Sequence, residues 1–152
     1  MLTKEELLQE AFKAIHFAYA PYSRYHVGAA VETKDGKIYL GANVENASFG
    51  ATSCAERNAV FAAYSNGYRK EDIIGVAIVS DGDRVCAPCG ICRQVLCELI
   101  QQDTPIYLSN GKEEVTSSIR ELLPFQFNEE DVNRGEVDLW LWQEDQMQGK
   151  VL

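Results

Sequence analysis

The sequence predicts an α/β protein in which helices pack on a mixed five-stranded sheet. Three observations carry that expectation. Amphipathic segments with helical spacing are interleaved with short apolar runs rich in Ile and Val. Dipeptides that favour tight turns (Asp35-Gly36, Asn66-Gly67, Asn110-Gly111) punctuate them. The resulting order is α-β-β-α-β-α-β-β-α, with no repeat, low-complexity tract or obvious linker.

Residues 3–20 form the first amphipathic segment, with Leu8, Phe12, Ile15 and Tyr19 on one stripe. Thr3 and Glu6 are placed to make a capping box at its start. Pro21 ends the pattern. "HVGAAVETK" and "KIYLGANVE" read as two strands joined through Asp35-Gly36, a hairpin turn signal. "CAERNAVFAAYSNGY" reads as a helix closed by Asn66-Gly67. "DIIGVAIVS" is a buried strand. "GICRQVLCELIQQ" is a third helix, with Ile91, Val95 and Leu99 on its apolar stripe. "PIYLSN" and "EEVTSS" are strands joined at Asn110-Gly111, and "IRELLP" is a short helix ended by Pro124. Residues 128–152 are acidic and hold both tryptophans; "VDLWLW" alternates like a strand, while its flanks suit a helix.

The chain has 152 residues, enough for one domain with a real core. Its formal net charge of −9 repels a polyanion and disfavours a nucleic-acid strand as partner, but does not oppose a small neutral substrate. The first residues have no basic start followed by an apolar run, and no stretch approaches the roughly 18 apolar residues that span a bilayer. The chain therefore reads as cytoplasmic, with no membrane partner. In a reducing compartment, clustered cysteines point to metal binding or catalysis rather than disulfides.

Three of the five cysteines lie in "CAPCGICRQV": Cys86, Cys89 and Cys92. Pro88 suits the start of a helix, because the amide hydrogen it lacks would be unpaired there. Cys86 then lies outside the helix, while Cys89 and Cys92 share a face of its first turn. The helix dipole and free amides there favour thiolates. Cys54 stands at another predicted helix start and is the best third ligand. Three protein ligands with one position open is the pattern of a catalytic zinc. Cys97 lies deeper in its helix and reads as a small core residue. A lone C-x-x-C is shared among metal, redox and neutral uses, and no thioredoxin-like βαβ unit precedes this one. Ser53 and Glu56 also satisfy a capping box, and taken alone that favours a capping role for Glu56. His16 and His26 read as satisfied histidines rather than ligands. Asn43 and Glu45 lie at i and i+2 of a strand end and so share a face; "ENAS" equally suits a turn.

"CAE" at 54–56 followed by "PCGICR" at 88–93 resembles the zinc nucleoside deaminases in their three-cysteine variant. "YAPYSRYHVGAAV", "GANVENAS" and "ELLPFQF" resemble, in the same order, the small homotetrameric cytidine deaminases. The resemblance runs from about residue 3 to residue 128. It implies a three-layer α/β/α sandwich and hydrolytic deamination of cytidine and deoxycytidine. It implies Zn2+ on Cys54, Cys89 and Cys92, with Glu56 as the proton shuttle. Asn43 and Glu45 would bind ribose, Tyr25 would stack on the base, and Ala55 would contact the substrate. Arg57 would hydrogen-bond the metal-bound sulfurs, and Phe127 would complete a neighbouring subunit's pocket in a homotetramer. Residues 1–128 are the expected deaminase domain and residues 129–152 an acidic C-terminal extension without a family role. Position 25 is Tyr where the family commonly has Phe, and position 49 is Phe where Tyr is common.

The arginine also has a reason of its own. Three thiolates exceed the charge of a divalent metal, so a cation beside them offsets the surplus, and Arg57 is the nearest in sequence. Three other readings compete. Cys86, Cys89, Cys92 and Cys97 faintly resemble an iron–sulfur run, but the helix places Cys97 too deep. A polynucleotide deaminase shares the zinc chemistry but lacks its basic surface here. A deaminase of another small aminopyrimidine nucleoside, such as an antibiotic, is the nearest alternative, opposed only by "NVENAS".

Overall fold

The structure is a computed structural model and describes residues 1–132. Five strands form one sheet: β1 (Val27–Thr33), β2 (Ile38–Ala42), β3 (Ile73–Ser80), β4 (Ile106–Ser109) and β5 (Glu114–Ser117). Their order across the sheet is β2-β1-β3-β4-β5. β1 runs antiparallel to β2 and β3, β3 and β4 are parallel, and β5 returns antiparallel. The mixed sheet thus matches the expectation. The parallel pair needs a long crossover, and helix α3 (Gly90–Leu99) supplies it.

Period-two alternation assigns the central strands to two faces. Val27, Ala29, Val31, Val76 and Ile78 join the larger core, which α2 (Ala55–Ser65) and α3 cover. Ala30, Ala77 and Val79 face the other way and meet Leu7, Leu8 and Ala11 of α1 (Lys4–Ala14). The result is the α/β/α sandwich. Two short helices follow, α4 (Ile119–Leu122) and α5 (Glu129–Val132). None of the described helices is long and apolar enough to cross a membrane. The alternating "VDLWLW" segment lies outside the described residues.

Two glycines set how closely the layers approach. A Cβ on Gly28 would lie 2.2 Å from the Ala11 carbonyl oxygen, and one on Gly41 would lie 2.2 Å from that of Ala55. β1 therefore touches the backbone of α1, and β2 that of α2, on opposite faces. Contact this close selects small residues from the helices. It explains why α1 buries Ala11 and Ala14 beside Leu7 and Leu8, rather than the Leu8-Phe12-Ile15-Tyr19 stripe. The α-helix also stops at Ala14, and a 3-10 turn at Ile15–Phe17 takes Tyr19 out of register. The Thr3–Glu6 capping box is present as expected.

The apolar face of α3 also differs from its predicted stripe. Ile91 is exposed, whereas Cys92, Leu96 and Cys97 are buried. Cys89 occupies the N-cap position, so the helix begins at Gly90, and Cys92 turns inward. Cys97 sits in the core as expected, its thiol donating to Gln126 Oε1 at 2.9 Å.

Replacing Gly28 or Gly41 by Ala should each lower unfolding free energy by about 2 kcal/mol, because backbone must move to admit the methyl group. Gly50→Ala, where an added Cβ meets nothing within 4 Å, is the control and should change stability little. Chemical denaturation of the three variants measures this. Equal stability in all three would mean the layers are not in backbone contact.

Candidate active site

The first wall of the site is the start of α2. Close packing of Gly41 against Ala55 and Ala59 pins this helix end to the sheet. Asn58 adds a tether, its Nδ2 donating to the Ala42 carbonyl at 2.7 Å. Ser53 does not cap the helix. It lies in an isolated bridge with Val44, and its hydroxyl donates to Asn58 Oδ1 at 2.6 Å. Cys54 holds the N-cap position without making a side-chain capping bond. The capping role that Ser53 and Glu56 suggest on their own is therefore absent. Glu56 is instead a carboxyl only 3% exposed. Burial pushes it above the usual carboxylate range.

The second wall is the start of α3. Cys89 caps this helix, its Sγ accepting from the Cys92 amide at 3.5 Å. Arg93 braces the approach, donating from Nε to the Pro88 carbonyl at 2.8 Å and from Nη1 to that of Leu122 at 2.6 Å. The two helix starts bring Cys54, Cys89 and Cys92 together, with all three sulfurs within 4.8 Å of one another. Cys54 Sγ and Cys89 Sγ are 3.8 Å apart.

A tetrahedral zinc with bonds of ~2.3 Å would hold its sulfurs ~3.8 Å apart, so the donor set fits Zn2+ in kind and spacing. The Cys92 thiol and the Arg57 guanidinium pull the Cys54 thiol down to about 5. The same contact with Cys54, followed by burial, pushes Cys92 up. Negative charge in the cluster is thus favoured on Cys54 over Cys92. Arg57 places its Nη2 3.4 Å from Cys54 Sγ and 3.4 Å from the Thr52 carbonyl. Its Nε is a buried donor with no partner among the described residues.

Between these walls opens a cleft of about 880 Å³. Tyr25, Asn43, Cys54, Ala55, Glu56 and Cys89 all line it. Of the expected substrate residues, Tyr25, Asn43 and Ala55 therefore line the same cleft as Cys54 and Cys89. Asn43 is buried, accepting from the Val27 amide at 2.9 Å and donating to the Tyr25 carbonyl at 2.7 Å. Glu45 is not part of the cleft lining. Its carboxylate accepts from the amides of Tyr22 at 2.9 Å and Ser23 at 3.1 Å, and from the Ser23 hydroxyl. Phe127 lies outside the cleft and is exposed, its carbonyl accepting from Gln94 Nε2 at 2.7 Å.

Sequence reasoning missed the loop of residues 82–87, all of which line the cleft. It also left Cys86 without a place. Burial pushes the Cys86 thiol up, and it lies against the Tyr25 hydroxyl. The only signal was adjacency to the C-x-x-C run, which says nothing about which way a loop folds.

An α/β/α sandwich with three converging cysteines and a buried glutamic acid at one cleft defines a zinc hydrolase of the deaminase class. Residues 1–108 match the family described as the cytidine and deoxycytidylate deaminase zinc-binding region, and the chain belongs to that family. A cytidine deaminase of Halalkalibacterium halodurans is 48% identical over 133 residues, which are 87% of this chain and 99% of the relative. The crystal structure of a cytidine deaminase from Burkholderia pseudomallei superposes with a TM-score of 0.80 at 42% identity. That match covers 83% of this chain and all of the other. A blasticidin-S deaminase of Bacillus cereus is 34% identical over 129 residues, covering 80% of this chain and 90% of its own.

Serine at position 54, 89 or 92 should reduce bound zinc well below stoichiometric, whereas Cys86→Ser and Cys97→Ser should retain it. Elemental analysis of the purified variants tests the assignment. Zinc lost from Cys86→Ser but kept in Cys54→Ser would relocate the centre.

Proposed function

We propose that this chain hydrolyses cytidine and deoxycytidine to uridine and deoxyuridine, releasing ammonia. The observation that carries the reading is the convergence of Cys54, Cys89 and Cys92 with buried Glu56 at one cleft. Zinc held by the three cysteines supplies a Lewis acid that activates water at neutral pH.

The chain's own residues do the rest. Glu56 is raised by burial above the usual carboxylate range, which favours its protonated form. It protonates N3 of the pyrimidine, takes a proton from the attacking water, and passes one to the amine leaving C4. One carboxyl group beside the reacting carbon serves all three transfers in turn. Tyr25 offers its ring to the base, and Ala55 contacts it from the helix start. Asn43 and Glu45 take the sugar. Each Asn43 bond to the backbone leaves a second lone pair or amide hydrogen, and the Glu45 carboxylate keeps acceptor capacity beyond its three internal bonds. Those internal bonds hold Glu45 ionised, its carboxyl lowered first by the Ser23 hydroxyl. Arg57 steadies the thiolates from behind.

The enzyme works as a homotetramer in which Phe127 completes a neighbour's pocket. Its exposed position outside its own cleft supports that role. Pyrimidine salvage in the cytoplasm is the setting this chemistry suits. Residues 1–128 carry the activity. A second reading, deamination of another aminopyrimidine nucleoside, is favoured by the similarity to the blasticidin-S deaminase.

Ammonia release from cytidine by the zinc-replete protein, lost on chelation, is the direct test. Release from blasticidin S alone would favour the second reading. Glu56→Gln should retain zinc and nucleoside binding while kcat falls by at least ~10²-fold, the scale of positioned acid–base catalysis. A Glu56→Gln enzyme with near-normal kcat would remove Glu56 from the mechanism.

An anionic Glu45 and the net charge of −9 oppose a phosphate on the sugar. CMP should therefore show a far lower kcat/KM than cytidine. Comparable values for the two would overturn the placing of Glu45 at the sugar.

A further inference from the structure

The cleft has one wall that neither helix start holds. Residues 82–87 leave the end of β3 and run to Pro88 and Cys89, lining the cleft along their whole length. Tyr25, Val27 and Asn43 line the same cleft, and the Tyr25 ring adjoins this segment at Gly82. The two sides meet at His26 and Asp81, which flank the last rung of the β1–β3 ladder, Val27 against Ser80.

Three hydrogen bonds join this pair. The Asp81 amide donates to the His26 carbonyl at 3.2 Å. The Asp81 carboxylate accepts from the His26 amide through Oδ1 at 3.0 Å and contacts His26 Nδ1 through Oδ2 at 2.6 Å. Burial alone would push the Asp81 carboxyl up, but the His26 amide and ring outweigh it and hold it below the usual range. The bonds on either side of His26 belong to the cleft. The carbonyl of Tyr25 and the amide of Val27 are both taken by the Asn43 side chain. On the far side, Gly82 follows Asp81 directly and backs the Tyr25 ring. A Cβ there would lie 2.7 Å from Tyr25 Cε2. Asn110 Nδ2 steadies the Gly82 carbonyl at 3.3 Å.

The geometry points to His26 and Asp81 as positioning residues that clasp the 82–87 wall to the Tyr25–Asn43 wall and so set the width of the nucleoside cleft. The pair touches neither the sulfurs nor Glu56. It acts through Tyr25, whose ring is seated on Gly82, and through Asn43, whose amide spans the residues on both sides of His26. Because α2 and its contacts with β2 lie outside the clasp, the clasp governs substrate binding and leaves the chemical step alone. This inference rests on the proposed deamination of cytidine.

The test uses the full zinc-loaded chain with His26→Ala, Asp81→Asn and His26→Asn. In the last variant the introduced side-chain amide can take the place of Nδ1–H. In the first two variants KM for cytidine should rise on the order of tenfold with kcat within about twofold, the signature of lost binding shared by ground and transition states. Zinc content should not change, and His26→Asn should restore most of the wild-type KM. Hydrogen exchange gives a readout that needs no turnover: amides 82–87 should exchange faster in His26→Ala while those of α2 stay protected. If the wild-type chain does not deaminate cytidine but this exchange still responds, the clasp holds the wall and the proposed substrate is wrong. Unchanged KM in active His26→Ala enzyme would overturn the clasp. So would exchange that rises across the whole sheet, or no rescue by His26→Asn.

Discussion

The site depends on holding three sulfurs close together at the starts of two helices. Like-charged thiolates repel, so each must be held by something other than mutual attraction. Cys54 is held by helix α2, which Gly41 and Asn58 fix to β2. Cys89 and Cys92 are held by helix α3, whose start is braced by Arg93 against Pro88 and Leu122. The free amides and positive dipole ends of both helices face the cluster, which lowers the cost of its charge. The parallel β3–β4 pair requires a crossover, and that crossover is what carries α3 and its cysteines to the end of the sheet beside α2.

The electrostatics follow from that placement. A cluster that gathers negative charge beside a buried carboxyl makes ionising the carboxyl harder. Burial and the Cys54 thiolate both raise Glu56, while Arg57 partly offsets them. The same arginine lowers Cys54. The Glu56 carboxyl and the Cys54 thiol are thus shifted in opposite directions by one small set of neighbours. This division of labour suits a reaction in which one group must accept and return protons while another must stay anionic to hold a cation.

The remainder of the cleft is built from loops that the sheet ends present. Asn43 and Glu45 each commit side-chain bonds to backbone near residues 22–27, so this stretch is fixed by side chains from the end of β2. The 82–87 loop is anchored differently, by Asp81 at one end and Pro88 at the other.

Much of this was legible in the residues themselves. The hairpin at Asp35-Gly36, the capping box at Thr3 and the buried Ile- and Val-rich strand at 73–80 are local, and local propensity reads them. The metal ligands were legible because thiols at two predicted helix starts, one pair three residues apart, match the donor set of a zinc site. The resemblance to the deaminases supplied roles that spacing alone left open, above all for Glu56. Rotation and reach were decided only by the tertiary structure. The buried faces of α1 and α3 differ from their predicted stripes because glycine contacts and the Cys89 cap decide which side turns inward. The His26–Asp81 pair joins residues 55 positions apart in the chain, and Cys86 reaches Tyr25 across a similar span. Such pairings carry no periodic signal, since they arise only when β1 and β3 have paired in one register and the loop beyond β3 has been turned back toward β1.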